Sequence, residues 1–234
     1  MCGLHGEIRF DNQPANLASH KKINEALRPR GPDAEGLFQQ GPLLLGHRRL
    51  KIIDLSDASA QPFVDHDTGL AIAFNGCIYN YRELRKELEQ LGHGFRSNGD
   101  TEVILRAWRQ WGPAAVQRCN GMFAFALHDF RDGKTFLARD RLGIKPLYLQ
   151  PVNGGLRFAS SLPALLAGGE VDTRINTTAL HHYFSWHAVV PPPHTIFRGV
   201  NKLPPATILT IQPDGTRSEE CYWEVQFQPQ ASPN

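Results

Sequence analysis

Met1-Cys2-Gly3-Leu4-His5-Gly6 opens the chain, and the residues that continue it, Glu7-Ile8-Arg9-Phe10, alternate charged and apolar side chains as a half-buried strand does. A strand beginning here would hold Cys2 rigidly. Removal of Met1 ahead of so small a residue would give Cys2 both a sulfur and a free α-amine. An unperturbed α-amine titrates at about pH 8, so partial burial would leave much of it neutral and able to take the thiol proton. The thiolate formed in this way attacks carbonyls. The plain alternative is an ordinary cysteine at a frayed end, and the hexapeptide alone does not choose between them.

Away from this stretch the chain is balanced. Its 234 residues carry 25 Lys and Arg against 23 Asp and Glu, with no long run of either sign, which argues against a nucleic-acid or membrane surface and for small-molecule or protein partners. The length suits one domain. No apolar run approaches the ~18 residues of a membrane span, and no basic-then-apolar leader opens the chain, so a cytoplasmic protein is expected. Cys2, Cys77, Cys119 and Cys221 form no CxxC, and the histidines form no HExxH, so neither a disulfide framework nor a metal site is expected.

The pattern predicts strands over Gly6 to Phe10, Leu43 to Gly46 and Ala71 to Phe74. It predicts a helix over Leu17 to Leu27 with Leu17, Ile23, Ala26 and Leu27 on one face, ended by the proline-rich 28–32 loop. Tyr81, Leu84, Leu88 and Leu91 recur at helical spacing after Asn80, a candidate cap, and Val103 to Trp111 form a second amphipathic helix after Asp100. Asp132-Gly133 between Met122–Leu127 and Thr135–Ala138 is a tight-hairpin signal, and Asn153-Gly154-Gly155 does the same between Pro146–Leu149 and Leu156–Ala159. A short helix is expected over Ala179 to Phe184, a last hairpin between Ile208–Ile211 and Tyr222–Val225, and an unstructured tail over 226–234. Hairpin-joined strands with an inserted block of helices imply a mixed antiparallel α+β domain.

Two polar motifs lie at predicted strand ends, and a third residue, Asp100, opens a predicted helix. Asn75-Gly76 reads either as a turn or as an oxyanion hole, the Asn75 amide and the Gly76 N–H donating to a developing alkoxide. Gly46-His47-Arg48-Arg49-Leu50 reads either as a solvated basic face or as an arginine fork for a substrate carboxylate. Asp100 reads either as a helix cap or as the partner of a substrate ammonium. Taken together, a nucleophile, an oxyanion pair, a carboxylate binder and an ammonium binder describe a site for an amino-acid amide.

The ordered segments MCGLHG, RGPD (30–33), GHRRLKIID (46–54), NGCIYN (75–80), GDTEVIL (99–105), GMFAFAL (121–127) and RDRLGIKPLY (139–148), followed by FAS (158–160) and KLPPAT (202–207), resemble the class II glutamine amidotransferase domain of asparagine synthetases across nearly the whole chain. The resemblance implies an N-terminal-nucleophile hydrolase fold, a four-layer αββα sandwich with antiparallel sheets, over residues 2–225. It implies that Cys2 is the nucleophile and that Asn75 and Gly76 form the oxyanion hole. Arg49 with Leu50 would hold the α-carboxylate of glutamine, and Asp100 beside Cys77 its α-ammonium. Ammonia would leave a γ-glutamyl thioester that water then releases as glutamate. No cofactor is implied for this domain. ATP and Mg are implied only for the synthetase domain or subunit that accepts the ammonia, and a homodimer is compatible with the resemblance.

Two features depart from the family. Cys77 stands where the family usually has glutamate, which puts glutamine affinity in question. The NGCIYN form, with GEIRFD (6–11) and HHYFSWHAVVPPP (181–193), is similar to the subgroup that amidates N-acetylglutaminylglutamine. The sequence also ends just beyond Tyr222-Trp223, where the family's synthetase domain would begin, and contains no SGGxDS pyrophosphate loop. A fragment of a longer enzyme and a free-standing glutaminase subunit are both compatible with this. The rival expectations are a non-catalytic module that keeps the fold, and a self-processed amidohydrolase acting on another amide.

Overall fold

The computed structural model describes residues 2–227. Met1 and residues 228–234 lie outside them, and with them the expected trimming of Met1 and most of the expected tail. The elements in chain order are β1 (Gly3–Arg9), α1 (Leu17–Ala26), β2 (Ala34–Gln40), β3 (Leu43–Arg49), β4 (Phe63–Asp65), β5 (Leu70–Ile78), α2 (Tyr81–Gln90), α3 (Asp100–Trp111) and α4 (Ala115–Arg118). They continue with β6 (Gly121–Asp129), β7 (Thr135–Arg139), β8 (Tyr148–Val152), β9 (Gly155–Ala159), α5 (Leu162–Gly168), α6 (Thr177–Ser185), β10 (Asn201–Lys202), β11 (Thr207–Ile211) and β12 (Arg217–Cys221).

Two six-stranded antiparallel sheets result, in the orders β10-β8-β9-β1-β3-β2 and β12-β11-β7-β6-β5-β4. Side chains alternate across a strand, and β5 shows what that does here. Ala71 and Ala73 face the other sheet with Leu4, Leu43 and Leu45, whereas Ile72 and Phe74 pack under α2 and α3 with Leu84, Leu88, Val103 and Trp108. A third cluster joins Ile23 and Leu27 to Leu165 of α5 on the outer face of the first sheet. The layers are therefore helix, sheet, sheet, helix.

Several elements differ from the sequence reading. On α1, Ile23 and Leu27 are buried, but Leu17 and Ala26 are exposed, and His20 and Asn24 complete the inner stripe. For His20 the cause is Glu7 on β1, buried, ion-paired to Arg157 of β9 at 2.8 Å and hydrogen-bonded to the His20 ring at 3.1 Å. A buried carboxylate needs such partners, so α1 meets the sheet through a charged layer. Burial works against ionisation of Glu7, yet His20 and Arg157 hold its carboxyl below the usual range.

The last hairpin pairs β11 with Arg217–Cys221 and not with Tyr222–Val225. Gln212 N–H donates to the Thr216 carbonyl at 2.8 Å, so the chain reverses at once and the exposed polar strand becomes the edge. Asn80 starts α2 by position, but its side chain accepts from Asn120 N–H and donates to the Arg118 carbonyl without capping the helix. Strands β2 and β4 and helix α5 had no counterpart in the sequence reading.

Candidate active site

Asn75-Gly76 is not a turn. Strand β5 runs on to Ile78, paired with β6 as far as Gly121, and Gly76 lies opposite Phe123. A Cβ at Gly76 would come within 2.3 Å of the Met122 carbonyl oxygen, so only glycine lets the two strands close here. The turn-like dipeptide is kept within a strand by this tertiary contact.

Strand alternation then aims the polar groups. Asn75 and Cys77 continue the stripe of Ala71 and Ala73 and face the sheet that carries Cys2. Backbone N–H groups two residues apart share an edge. Phe74 N–H donates to Gln61 Oε1 at 2.7 Å and Ile78 N–H to Asp100 Oδ2 at 3.0 Å, and the Gly76 N–H lies on that same edge between them. The Phe74 carbonyl accepts from His47 Nε2 at 2.9 Å, so both backbone groups ahead of Asn75 are clamped by side chains.

Cys2 sits directly before β1, which pairs with β3 from Gly3 opposite Arg48. That register carries its thiol to the end of β3, where Leu50 N–H donates to Sγ at 3.3 Å and Sγ lies 3.6 Å from the Leu50 carbonyl. Arg49 is buried; its guanidinium donates to the Ser56 carbonyl at 2.8 Å and to the Asp54 carbonyl. Asp100 opens α3 at the far wall. Cys2, Arg49, Leu50, Asn75, Gly76, Cys77 and Asp100, all seven residues singled out in the sequence, line one cavity of about 110 Å³. Within it, Asn75 Nδ2 is buried and has no hydrogen-bond partner among the described residues. Such an orphan donor costs about 1–3 kcal/mol unless a ligand answers it.

The family described as the glutamine amidotransferase domain matches residues 1–223. The chain belongs to that family. It is 38% identical over 234 residues to asparagine synthetase [glutamine-hydrolyzing] 1 of Bacillus subtilis, covering 98% of this chain and 36% of the relative. It is 35% identical over 246 residues to a putative asparagine synthetase [glutamine-hydrolyzing] 2 of Methanocaldococcus jannaschii, covering 96% and 47%. The chain thus spans less than half the length of these relatives. Among solved structures, the glutamine phosphoribosylpyrophosphate amidotransferase of B. subtilis superposes with a TM-score of 0.70 at 19% identity, covering 95% of this chain and 49% of that one. The fold is N-terminal-nucleophile-hydrolase-like.

The cavity of this glutamine amidotransferase domain is electrostatically graded. Burial pushes the Cys2 thiol up, opposed by the Leu50 N–H. Burial and then the Asp100 charge push the Cys77 thiol up, so it is neutral near pH 7. Burial raises Asp100 to about 6 against the Ile78 N–H that favours its charge. Four further polar side chains that the sequence reading did not single out line the same space: Ser59, Gln61, Thr101 and Lys145. Lys145 is a buried ammonium whose pKa burial pushes down. It is delivered by a loop whose Ile144 and Lys145 N–H groups both donate to Asp140, at 2.9 Å each. Lys145 falls inside the quoted RDRLGIKPLY segment, whereas nothing local marks Gln61, whose place depends on Phe74 and Thr101. Among the described residues no helix is long and apolar enough to cross a membrane.

Proposed function

We propose that this chain hydrolyses the side-chain amide of glutamine and hands on the ammonia. The Cys2 thiol gives its proton to the α-amine that Met1 removal frees, and the thiolate attacks the amide carbon. The carbonyl oxygen becomes an oxyanion, received by Asn75 Nδ2 and the Gly76 N–H. Collapse breaks the C–N bond, the α-ammonium returns its proton to the leaving nitrogen, and ammonia departs from a γ-glutamyl thioester. Water then attacks the thioester, releasing glutamate and regenerating the thiol. Arg49 takes the α-carboxylate beside Leu50, whose backbone also touches the nucleophile, and Asp100 takes the α-ammonium with Cys77 as a neutral neighbour.

The observation that carries this reading is the orphaned, buried Asn75 Nδ2 in the cavity that also holds the Cys2 thiol. A donor kept dry and unpartnered stabilises charge that appears only during reaction. The names of the relatives favour, as the ammonia acceptor, an ATP-using synthetase domain or subunit that amidates a carboxylate, of the asparagine type or, by the NGCIYN form, the N-acetylglutaminylglutamine type. The test is glutamate release from glutamine by the purified chain beside Cys2→Ala, with Met1 removal checked by mass. Turnover in the parent alone is expected, and equal turnover in Cys2→Ala refutes the assignment. The neutral Cys77 thiol at the ammonium end favours a second reading, a binding module. That reading predicts silence in both proteins with Met1 removed.

A further inference from the structure

Asp54 stands outside the cavity but is bonded to both of its ends. It follows Arg49 by five residues and adopts a left-handed backbone, φ 53°, uncommon for non-glycine residues but open to aspartate when its carboxylate bonds locally. Its Oδ1 accepts from Ser56 N–H at 3.0 Å and Ser56 Oγ at 2.6 Å. Its Oδ2 accepts from Ser59 Oγ at 2.7 Å and from Asn98 N–H at 2.7 Å. The first pair folds the 54–56 turn back on itself, which aims the Asp54 and Ser56 carbonyls at the Arg49 guanidinium. The second pair ties the same turn to the segment that enters α3 two residues before Asp100.

The join is close. A Cβ on Gly99 would lie 2.5 Å from Ser59 Oγ, so the loop seats against the residue that caps α3. Against partial burial, the hydroxyl and backbone donors of Ser56, Ser59 and Asn98 hold the Asp54 carboxyl well below the usual range, so it carries its charge throughout the physiological range.

We propose that Asp54 is a positioning residue that sets the distance and angle between Arg49 and Asp100, and thereby selects substrates bearing both a carboxylate and an ammonium. The inference rests on the glutaminase reading above. It assigns Asp54 no part in the chemistry at Cys2. Its loss weakens the grip on the amino-acid end while leaving thiol and oxyanion donors in place.

The experiment compares Asp54→Ala, Asp54→Asn and Ser59→Ala in the 234-residue chain, with folding verified by circular dichroism. For Asp54→Ala, the KM for glutamine is expected to rise roughly tenfold or more, since hydrogen bonds to a charged group are lost, with kcat within about threefold. Asp54→Asn, which keeps one acceptor, should fall between. Alkylation of Cys2 by iodoacetamide, which has neither carboxylate nor ammonium, should stay near the parent rate, and alkylation by an amino-acid chloromethyl ketone of glutamine's length should slow in step with KM. An unchanged KM in folded Asp54→Ala, or equal slowing of both reagents, overturns the proposal. Should Asp54→Ala fail to fold, Ser59→Ala decides, because it removes one donor and is expected to raise KM about threefold. A parent chain that releases no glutamate sinks the glutaminase reading separately, and the ratio of the two alkylation rates still reports on Asp54.

Discussion

Replacing Asn75 with alanine separates the catalytic reading from a structural one, because the two effects have opposite signs. In the folded chain Asn75 is buried and its Nδ2 makes no hydrogen bond. The ground state therefore already bears the desolvation of an amide donor, about 1–3 kcal/mol, with nothing in the protein to offset it. Alanine removes that donor, losing only the packing of a small side chain. Stability should hold or rise, and each kcal/mol gained lifts Tm by about 2–4 °C in a chain of this size. Turnover should fall by about 10²- to 10³-fold, the usual cost of deleting one oxyanion donor. The assay is glutamate release at saturating glutamine, read beside a thermal melt of the same protein. Activity within tenfold of the parent would show that Nδ2 does not meet the developing charge. A Tm lowered by more than about 5 °C would show that the amide holds the fold.

Asp100, raised to about 6, must be ionised to hold an ammonium, so kcat/KM should fall as pH drops below about 6, and Asp100→Asn should erase that limb while weakening glutamine. The same shift acts on folding: a carboxyl whose folded pKa exceeds its unfolded value of about 3.9 contributes stability that is present below pH 4 and lost as pH rises through 6, about 3 kcal/mol in all. Asp100→Asn should therefore melt higher than the parent at pH 8 and no higher at pH 4. His47 and His128, each buried and lowered to about 4, act in the other direction, adding stability above pH 6.5 that is lost as pH falls through 4; a melt series should show a net loss over that window. Gly76→Ala should drive β5 from β6 at the Met122 carbonyl, costing about 1–3 kcal/mol and most of the activity. Glu7→Gln leaves the buried Arg157 with only the exposed Glu170 carboxylate, 3.3 Å away, as counter-charge and should cost up to about 3–5 kcal/mol, a Tm loss of as much as roughly 6–20 °C, although Glu7 lies outside the cavity.

What the sequence made legible follows from how local each signal is. The Asp132-Gly133 hairpin and the α2 and α3 stripes are written in adjacent residues, and they stand where the pattern puts them. That the residues lining the cavity could be picked out at all reflects that a thiol, a fork of positive charge and a lone acid have chemistry of their own. Asn75-Gly76 was misread as a possible strand end because the dipeptide has the chemistry of a turn, and only Met122, far along the chain, keeps it extended. His20 breaks the apolar face of α1 because Glu7 waits opposite, and Asn24 because His5 and Glu35 do, which no periodicity within α1 can announce. Gln61 was missed for the same reason, since its place is set by Phe74 and Thr101, whereas the turn that delivers Lys145 is local and it is the packing of that turn against the cavity that the sequence does not announce.

This difference between local and tertiary signals matches a division within the site itself. Asn75 and Gly76 lie inside a strand paired with β6, and Cys2 directly precedes Gly3, which is paired with Arg48 of β3, so moving them disturbs a strand ladder. Arg49 ends a strand and Asp100 begins a helix, and they are joined by the 50–60 segment, most of which has no ladder at all. On the proposed reading, the reacting atoms, which must meet within tenths of an ångström, are carried in or directly before paired strands. On the same reading, Arg49 and Asp100, the groups proposed to recognise the amino-acid end, are linked through a segment held mainly by side-chain bonds. Substitutions along β1 and β5 should accordingly appear in kcat, and substitutions between Asp54 and Ser59 in KM, so the fold itself sorts the kinetic consequences by where a residue sits.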